Sequence, residues 1–145
     1  RKYIDGTFIY MNGDQICNVD LRKMISFHIK HAPDITLFAN SISPDNTTSD
    51  TIQTDERGRG TRFVSKWDDR ANAGTLANKG LCIIEPKILN LMDKEVFNFE
   101  NYIYPKALQQ GYTLMAYQTE EFSEDMGTPE RLKKCEEFLR QCALS

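Results

Sequence analysis

Two aspartates far apart in the chain each end a short motif of a kind that serves hard cations. Asp14 closes the run Thr7-Phe8-Ile9-Tyr10-Met11-Asn12-Gly13-Asp14, where an apolar stretch stops at Asn-Gly-Asp. Asp125 lies in Glu124-Asp125-Met126-Gly127-Thr128-Pro129-Glu130, just ahead of an amphipathic segment. Magnesium takes oxygen ligands, uses one or two carboxylates and completes its shell from water and phosphate. Carboxylates delivered by two separate strand or loop ends meet that requirement. Lys66, within Phe63-Val64-Ser65-Lys66-Trp67, offers a compact ammonium to a phosphate. Asn78, in Ala77-Asn78-Lys79-Gly80-Leu81, both donates to and accepts from hydroxyls, and Gly80 allows a ligand to come close. Each residue also has a plain reading. Asn-Gly-Asp is ordinary turn chemistry, Asp125 suits a helix entry, Ala77 to Leu81 suits a strand entry, and most lysines are simply solvated.

Other chemistries find less support. His28 falls on the apolar stripe of an expected helix and His31 at its end, with no serine or cysteine motif that would make a nucleophilic triad. Arg57-Gly58-Arg59-Gly60-Thr61-Arg62 lacks the Gly-x-x-x-x-Gly-Lys-Ser/Thr spacing of a phosphate loop and reads as an exposed hairpin turn. The four cysteines, Cys17, Cys82, Cys135 and Cys142, show no Cys-x-x-Cys spacing and no paired histidines, which argues against zinc. All four are expected to be buried thiols. Reduced thiols and the lack of a visible signal peptide point to the cytoplasm, which makes the Asn46-Thr47-Thr48 sequon a coincidence.

The chain of 145 residues fits one domain and is long enough to bury a core. Its net charge of −3 argues against a general nucleic-acid or anionic-membrane binder. No apolar run approaches the roughly 18 residues of a membrane span. It starts at Arg1 and runs almost at once into a core-type strand, so a fragment lacking its N-terminal part is expected.

The positioning elements are legible in outline. Thr7 to Met11 reads as a buried strand. Asp20 caps a helix to about His31 with Leu21, Met24, Ile25 and His28 on one stripe, and Pro33 stops it. Ile35 to Ala39 is a second strand, which predicts a βαβ unit with a parallel pair. Residues 40–50 read as a polar loop, Thr51 to Thr54 as a short strand, Thr61 to Trp67 as an edge or hairpin strand, and residues 68–74 as a turn. Gly80 to Ile84 is an apolar strand, and Pro86 opens a short helix. Glu100 to Gln110 is a helix that Gly111 stops, and Tyr112 to Tyr117 is a strand. Thr128 and Pro129 start the last helix, with Leu132, Cys135, Leu139 and Cys142 as its expected buried seam.

In this order the motifs resemble the C-terminal portion of a sugar-phosphate nucleotidyltransferase. Phe8 to Asp14, with Val19-Asp20-Leu21 and Ser26-Phe27-His28, is similar to that family's Asn-Gly-Asp strand and following helix. Phe63 to Lys66 resembles its Phe-x-Glu-Lys segment, and Ala77 to Leu81 its Asn-x-Gly strand. Phe99-Glu100 with Tyr104-Pro105-Lys106 resembles a following helix, and Asp125 to Glu130 its Asp-x-Gly-Thr-Pro-Glu ending. The resemblance implies an α/β fold with a Rossmann-like, mixed and mostly parallel sheet flanked by helices. Residues 1–145 would be the C-terminal part of one such domain, its N-terminal strands missing. It also implies that Asp14 and Asp125 hold Mg²⁺, that Lys66 contacts the phosphate of a sugar 1-phosphate, and that Asn78, beside Gly80, contacts the sugar.

The implied reaction of the full-length protein is attack of a sugar 1-phosphate oxygen on the α-phosphorus of a nucleoside triphosphate, with pyrophosphate leaving. Two departures from the pattern stand out. Ser65 replaces a glutamate that grips sugar hydroxyls in the family, and Trp67 replaces a common proline. The glycine-rich nucleotide loop would precede Arg1, so this segment by itself is expected to be inactive. Two rival readings remain open: a non-catalytic sugar-phosphate or nucleotide-binding regulatory module of the same fold, and a plain interaction module. The sequence leaves open the base, the sugar and the oligomeric state, homo-oligomers included. Guanylyl transfer to mannose or heptose 1-phosphate is slightly favoured over thymidylyl or uridylyl transfer to glucose 1-phosphate.

Overall fold

A computed structural model describes residues 3–42, 49–68, 74–93 and 98–144. In chain order these form β1 (Phe8–Met11), β2 (Gln15–Cys17), α1 (Leu21–His31), β3 (Ile35–Ser41), β4 (Thr51–Thr54), β5 (Gly60–Val64) and β6 (Leu76–Ile84). A 3-10 helix (Pro86–Leu91), α2 (Phe99–Gln109), β7 (Leu114–Gln118), β8 (Ser123–Asp125) and α3 (Pro129–Ala143) follow. The loops expected over 40–50 and 68–74 fall partly, and the Asn46 sequon wholly, outside the described residues.

The main sheet runs β5-β4-β6-β3-β7, with β1 also paired to β6. It is mixed, as expected, but not mostly parallel: among the described strands only β3–β7 is a parallel ladder, and β6 pairs antiparallel to β1, β3 and β4. The expected β1–β3 neighbour pair is corrected in the same way. Both strands pair with Ile83 and Ile84, so β6 lies between them. The chain leaves β3 through the β4–β5 hairpin and returns in the opposite direction. One edge of β6 serves two partners, β4 at Leu76–Ala77 and β1 at Leu81–Ile84. Gly80, with φ of 64°, makes the break between them, a conformation that costs a side-chain-bearing residue roughly 1–2 kcal/mol.

Alternation along the central strands divides the core. Ile35, Leu37 and Ala39 of β3 and Cys82 and Ile84 of β6 face α2, where Ile103, Tyr104 and Ala107 meet them. Phe38, Leu81 and Ile83 point to the other face, against Met24 of α1. Burying a side chain such as Met24 or Phe38 contributes about 1.5–3 kcal/mol. Tyr104 satisfies its hydroxyl inside the first cluster by donating to Cys82 Sγ at 3.2 Å and packs edge-on against Phe63 and Phe99.

The helices begin where the sequence places them. Asp20 accepts from the Arg22 and Lys23 amides at the start of α1, and Thr128 accepts from the Arg131 amide at the start of α3. Three expectations about burial fail. Of the α1 stripe only Met24 and His28 are buried, while Leu21 and Ile25 are exposed. On α3 only Cys135 is buried; Leu132, Leu139 and Cys142 face outward. Cys17 is half-buried, so burial of all four thiols is also corrected. The reason is contact: α3 touches β8 in its early turns, and beyond that Phe138 stacks on Phe122. No helix among the described residues is long and apolar enough to cross a membrane.

Candidate functional site

A cleft of about 410 Å³ opens where β1, β6, α2 and the β8–α3 turn converge. Asp14, Lys66, Asn78, Gly80 and Asp125, the residues singled out in the sequence, all line it. They come from four separate segments, so only the fold brings them together.

The two aspartates are joined by a small second sheet that the sequence reading did not contain. β2 and β8 pair antiparallel, with Gln15 opposite Asp125, and the Met126 amide donates to the Asp14 carbonyl at 2.9 Å. Three-residue strands such as Gln15-Ile16-Cys17 and Ser123-Glu124-Asp125 carry too little alternation to be read locally. Gln15 Nε2 donates to Ser123 Oγ at 2.7 Å and fixes the register further.

Gly80 serves the wall of the cleft before it serves any ligand. A Cβ there would stand 2.8 Å from Asn12 Nδ2 and 3.0 Å from Gln15 Oε1. Its carbonyl accepts from the Asn12 amide at 2.9 Å. Asn78 Nδ2 donates to Glu100 Oε1 at 2.7 Å, and Asn12 Nδ2 reaches the same oxygen at 3.4 Å. Among the described residues Asn78 Oδ1 is buried with no hydrogen-bond partner, an uncommon and costly state for a polar atom unless a ligand completes it. Lys66 is exposed at the rim, and its backbone amide donates to Asp50 Oδ1 at 2.7 Å. Ser65 is buried and turned inward: its hydroxyl accepts from the Trp67 amide at 3.3 Å, and its own amide donates to Asp68. It does not line the cleft.

Two functional candidates went unread in the sequence. Glu100 sits in the first turn of α2 with its carboxylate in the cleft, and desolvation pushes its pKa up despite the Asn78 and Asn12 hydrogen bonds. Arg131, in the first turn of α3, donates through Nη1 to Asp125 Oδ1 at 2.8 Å and Oδ2 at 2.6 Å. Burial would raise the Asp125 carboxyl, but the Arg131 hydrogen bonds and the Gly127 amide outweigh it and hold it below the ordinary aspartate value. A cation in a helix's first turn opposes the helix dipole, and that misplacement was the one local signal for Arg131.

Asp14 and Asp125 are carboxylates of the cleft that could supply oxygen ligands to a magnesium ion. Among the described residues no group of three or more His, Cys, Asp or Glu is gathered to hold an ion unaided. Two carboxylates on paired elements at the edge of a polar cleft are what such an ion takes from protein.

Comparison with known proteins identifies the family. The chain is 29% identical over 122 residues to mannose-1-phosphate guanyltransferase beta-B of Xenopus laevis, covering 84% of this chain and 33% of that protein. It is 26% identical over 132 residues to mannose-1-phosphate guanylyltransferase 1 of Arabidopsis thaliana, covering 88% and 36%. It therefore spans about a third of the length of these curated relatives. Among solved structures, HddC from Yersinia pseudotuberculosis superposes with a TM-score of 0.75 at 28% identity, over 94% of this chain and 58% of that one. A putative glucose-1-phosphate thymidylyltransferase from Bacillus anthracis, at 15% identity and a TM-score of 0.76, shares the fold, over 93% of this chain and 55% of that one. The family model described as nucleotidyl transferase matches residues 1–141, and the chain belongs to that family.

Proposed function

We propose that the full-length protein joins the nucleotidyl group of a nucleoside triphosphate to a sugar 1-phosphate, releasing pyrophosphate and forming a nucleotide-sugar. The observation that carries this reading is the convergence of Asp14, Lys66, Asn78 and Asp125 on one polar cleft. The names of the curated relatives favour guanylyl transfer to mannose 1-phosphate. Residues 1–145 would form the C-terminal part of the domain, with the nucleotide cradle and its phosphate contacts supplied by the rest. The cytoplasm is the expected compartment.

Within the cleft the chemistry asked of this chain is alignment and charge neutralisation, with no side-chain nucleophile. Lys66 would hold the sugar phosphate so that its oxygen points at the α-phosphorus. Asn78 Oδ1, buried without a partner, would accept from a sugar hydroxyl. Glu100, fixed by Asn78 and Asn12, would accept from a second. In this reading Glu100 supplies the carboxylate that Ser65 does not. Asp14 and Asp125 would hold Mg²⁺, which supplies charge to offset repulsion between the two substrates' phosphates.

The test is pyrophosphate release by the full-length protein with magnesium, four nucleoside triphosphates and a panel of hexose and heptose 1-phosphates. One active pair would name both substrates. Ligand binding without turnover would favour the regulatory-module reading, which the inward-turned Ser65 supports. No turnover together with no magnesium-dependent stabilisation by any ligand would leave the interaction module, since a true site stabilises by mass action.

A further inference from the structure

Asp14 and Asp125 differ in what already occupies them. The Asp14 carboxylate is exposed and, among the described residues, accepts no hydrogen bond and forms no ion pair. Both Asp125 oxygens are engaged by Arg131 Nη1, at 2.8 and 2.6 Å. Arg131 Nε also lies 3.7 Å from Glu124 Oε1. The side chains of Arg131 and Asp125 are 23% and 35% exposed, so the pair is partly desolvated and poorly screened. The helix does not favour the guanidinium's position, because the first turn of α3 repels a cation. The pairing with Asp125 and Glu124 holds it there.

We propose that Arg131 is a positioning residue that keeps Asp125 closed to a divalent cation until a phosphate-bearing ligand draws the guanidinium away. The inference rests on the reading of Asp14 and Asp125 as the metal-holding pair. A guanidinium and a divalent cation repel each other and need the same two oxygens, so they occupy Asp125 alternately. A phosphate presents two oxygens to the guanidinium's planar fork, as a carboxylate does, and brings more negative charge, and Arg131 lines the same cleft. Arrival of phosphate therefore frees the carboxylate and adds negative charge beside it. The cation binds tightly only when phosphate is present, which guards against a metal-loaded cleft without substrate.

The experiment is titration of the full-length protein with Mn²⁺ alone, followed by loss of the free-ion electron paramagnetic resonance signal. Wild type, Arg131→Gln, Arg131→Lys and Asp125→Asn are compared. Arg131→Gln should bind Mn²⁺ about tenfold more tightly than wild type, since removing one neighbouring positive charge is worth at least that much at a partly buried site. Arg131→Lys, which keeps the charge but loses the two-oxygen grip, should shift the same way by less, and it carries the test if the glutamine variant does not fold. Arg131→Gln should also bind inorganic pyrophosphate more weakly. Unchanged or weaker Mn²⁺ affinity in both arginine variants, with Asp125→Asn abolishing binding, would overturn the guard and leave the metal pair standing. Unchanged Mn²⁺ affinity when Asp125→Asn is added to Arg131→Gln, where no guanidinium closes the carboxylate, would overturn the metal pair itself, and the guard with it.

Discussion

The two walls of the cleft hold their carboxylates in opposite ways. On the α2 wall, Glu100 is bound by two neutral amides, Asn78 and Asn12, and desolvation raises its pKa. On the β8 wall, burial also opposes ionisation of Asp125, but the Arg131 guanidinium reverses the balance and lowers its pKa. One chemical group is thus set for two tasks. On the proposed reading, the carboxylate among amides would recognise hydroxyls, while the one beside a cation would exchange that cation for another. Burial decides at Glu100 and the charged neighbour at Asp125, not the residue type.

The contrast is tested first where the largest effect lies. Asp125→Asn in the full-length protein should lower turnover at saturating substrate on the order of 100-fold, as loss of a charge-stabilising group at a reacting centre does. Its unfolding midpoint should move little by comparison; unchanged turnover would remove Asp125 from the chemistry. Glu100→Ala should instead raise the KM for the sugar 1-phosphate roughly tenfold or more, because a hydrogen bond to a charged group is worth about 1.5–3 kcal/mol. If turnover falls and KM does not, the two walls do not divide the work as described.

Gly80→Ala probes the joint between the walls. Its left-handed backbone predicts a loss of roughly 1–2 kcal/mol in denaturant unfolding. The new Cβ would also press on Asn12 Nδ2, so KM should rise through displacement of the Asn12 contact with Glu100. An alanine variant as stable as wild type would contradict that geometry.

The smallest effect is on the pH dependence of stability, and its sign differs between the walls. Glu100 keeps its proton longer in the folded state, so stability declines as pH rises through the window above the ordinary glutamate value. Asp125 releases its proton more readily when folded, so its contribution is present above the ordinary aspartate value and is lost as pH falls through its lower folded value. Thermal melting across pH should show Glu100→Gln flattening the upper window and Asp125→Asn flattening the acid limb. Matching behaviour of the two variants would erase the distinction.

Much of this molecule is visible one segment at a time. The caps at Asp20 and Thr128, the strand at Thr51–Thr54, and the motifs around Asp14, Asn78 and Asp125 are short-range patterns with local causes. Capping depends on a side chain two or three residues from the amide it serves, and strand alternation depends on the next residue but one. The sequence by itself determined these elements and five of the residues that line the cleft, Asp14, Lys66, Asn78, Gly80 and Asp125. Only the tertiary structure decided that β6 separates β1 from β3, that two three-residue strands bind Asp14's turn to Asp125's, and which neighbour each cleft carboxylate receives. Those contacts join residues tens of positions apart, where no local periodicity records the partner. Burial raises the Glu100 pKa against its amide partners, whereas the Arg131 partner lowers that of Asp125 against burial.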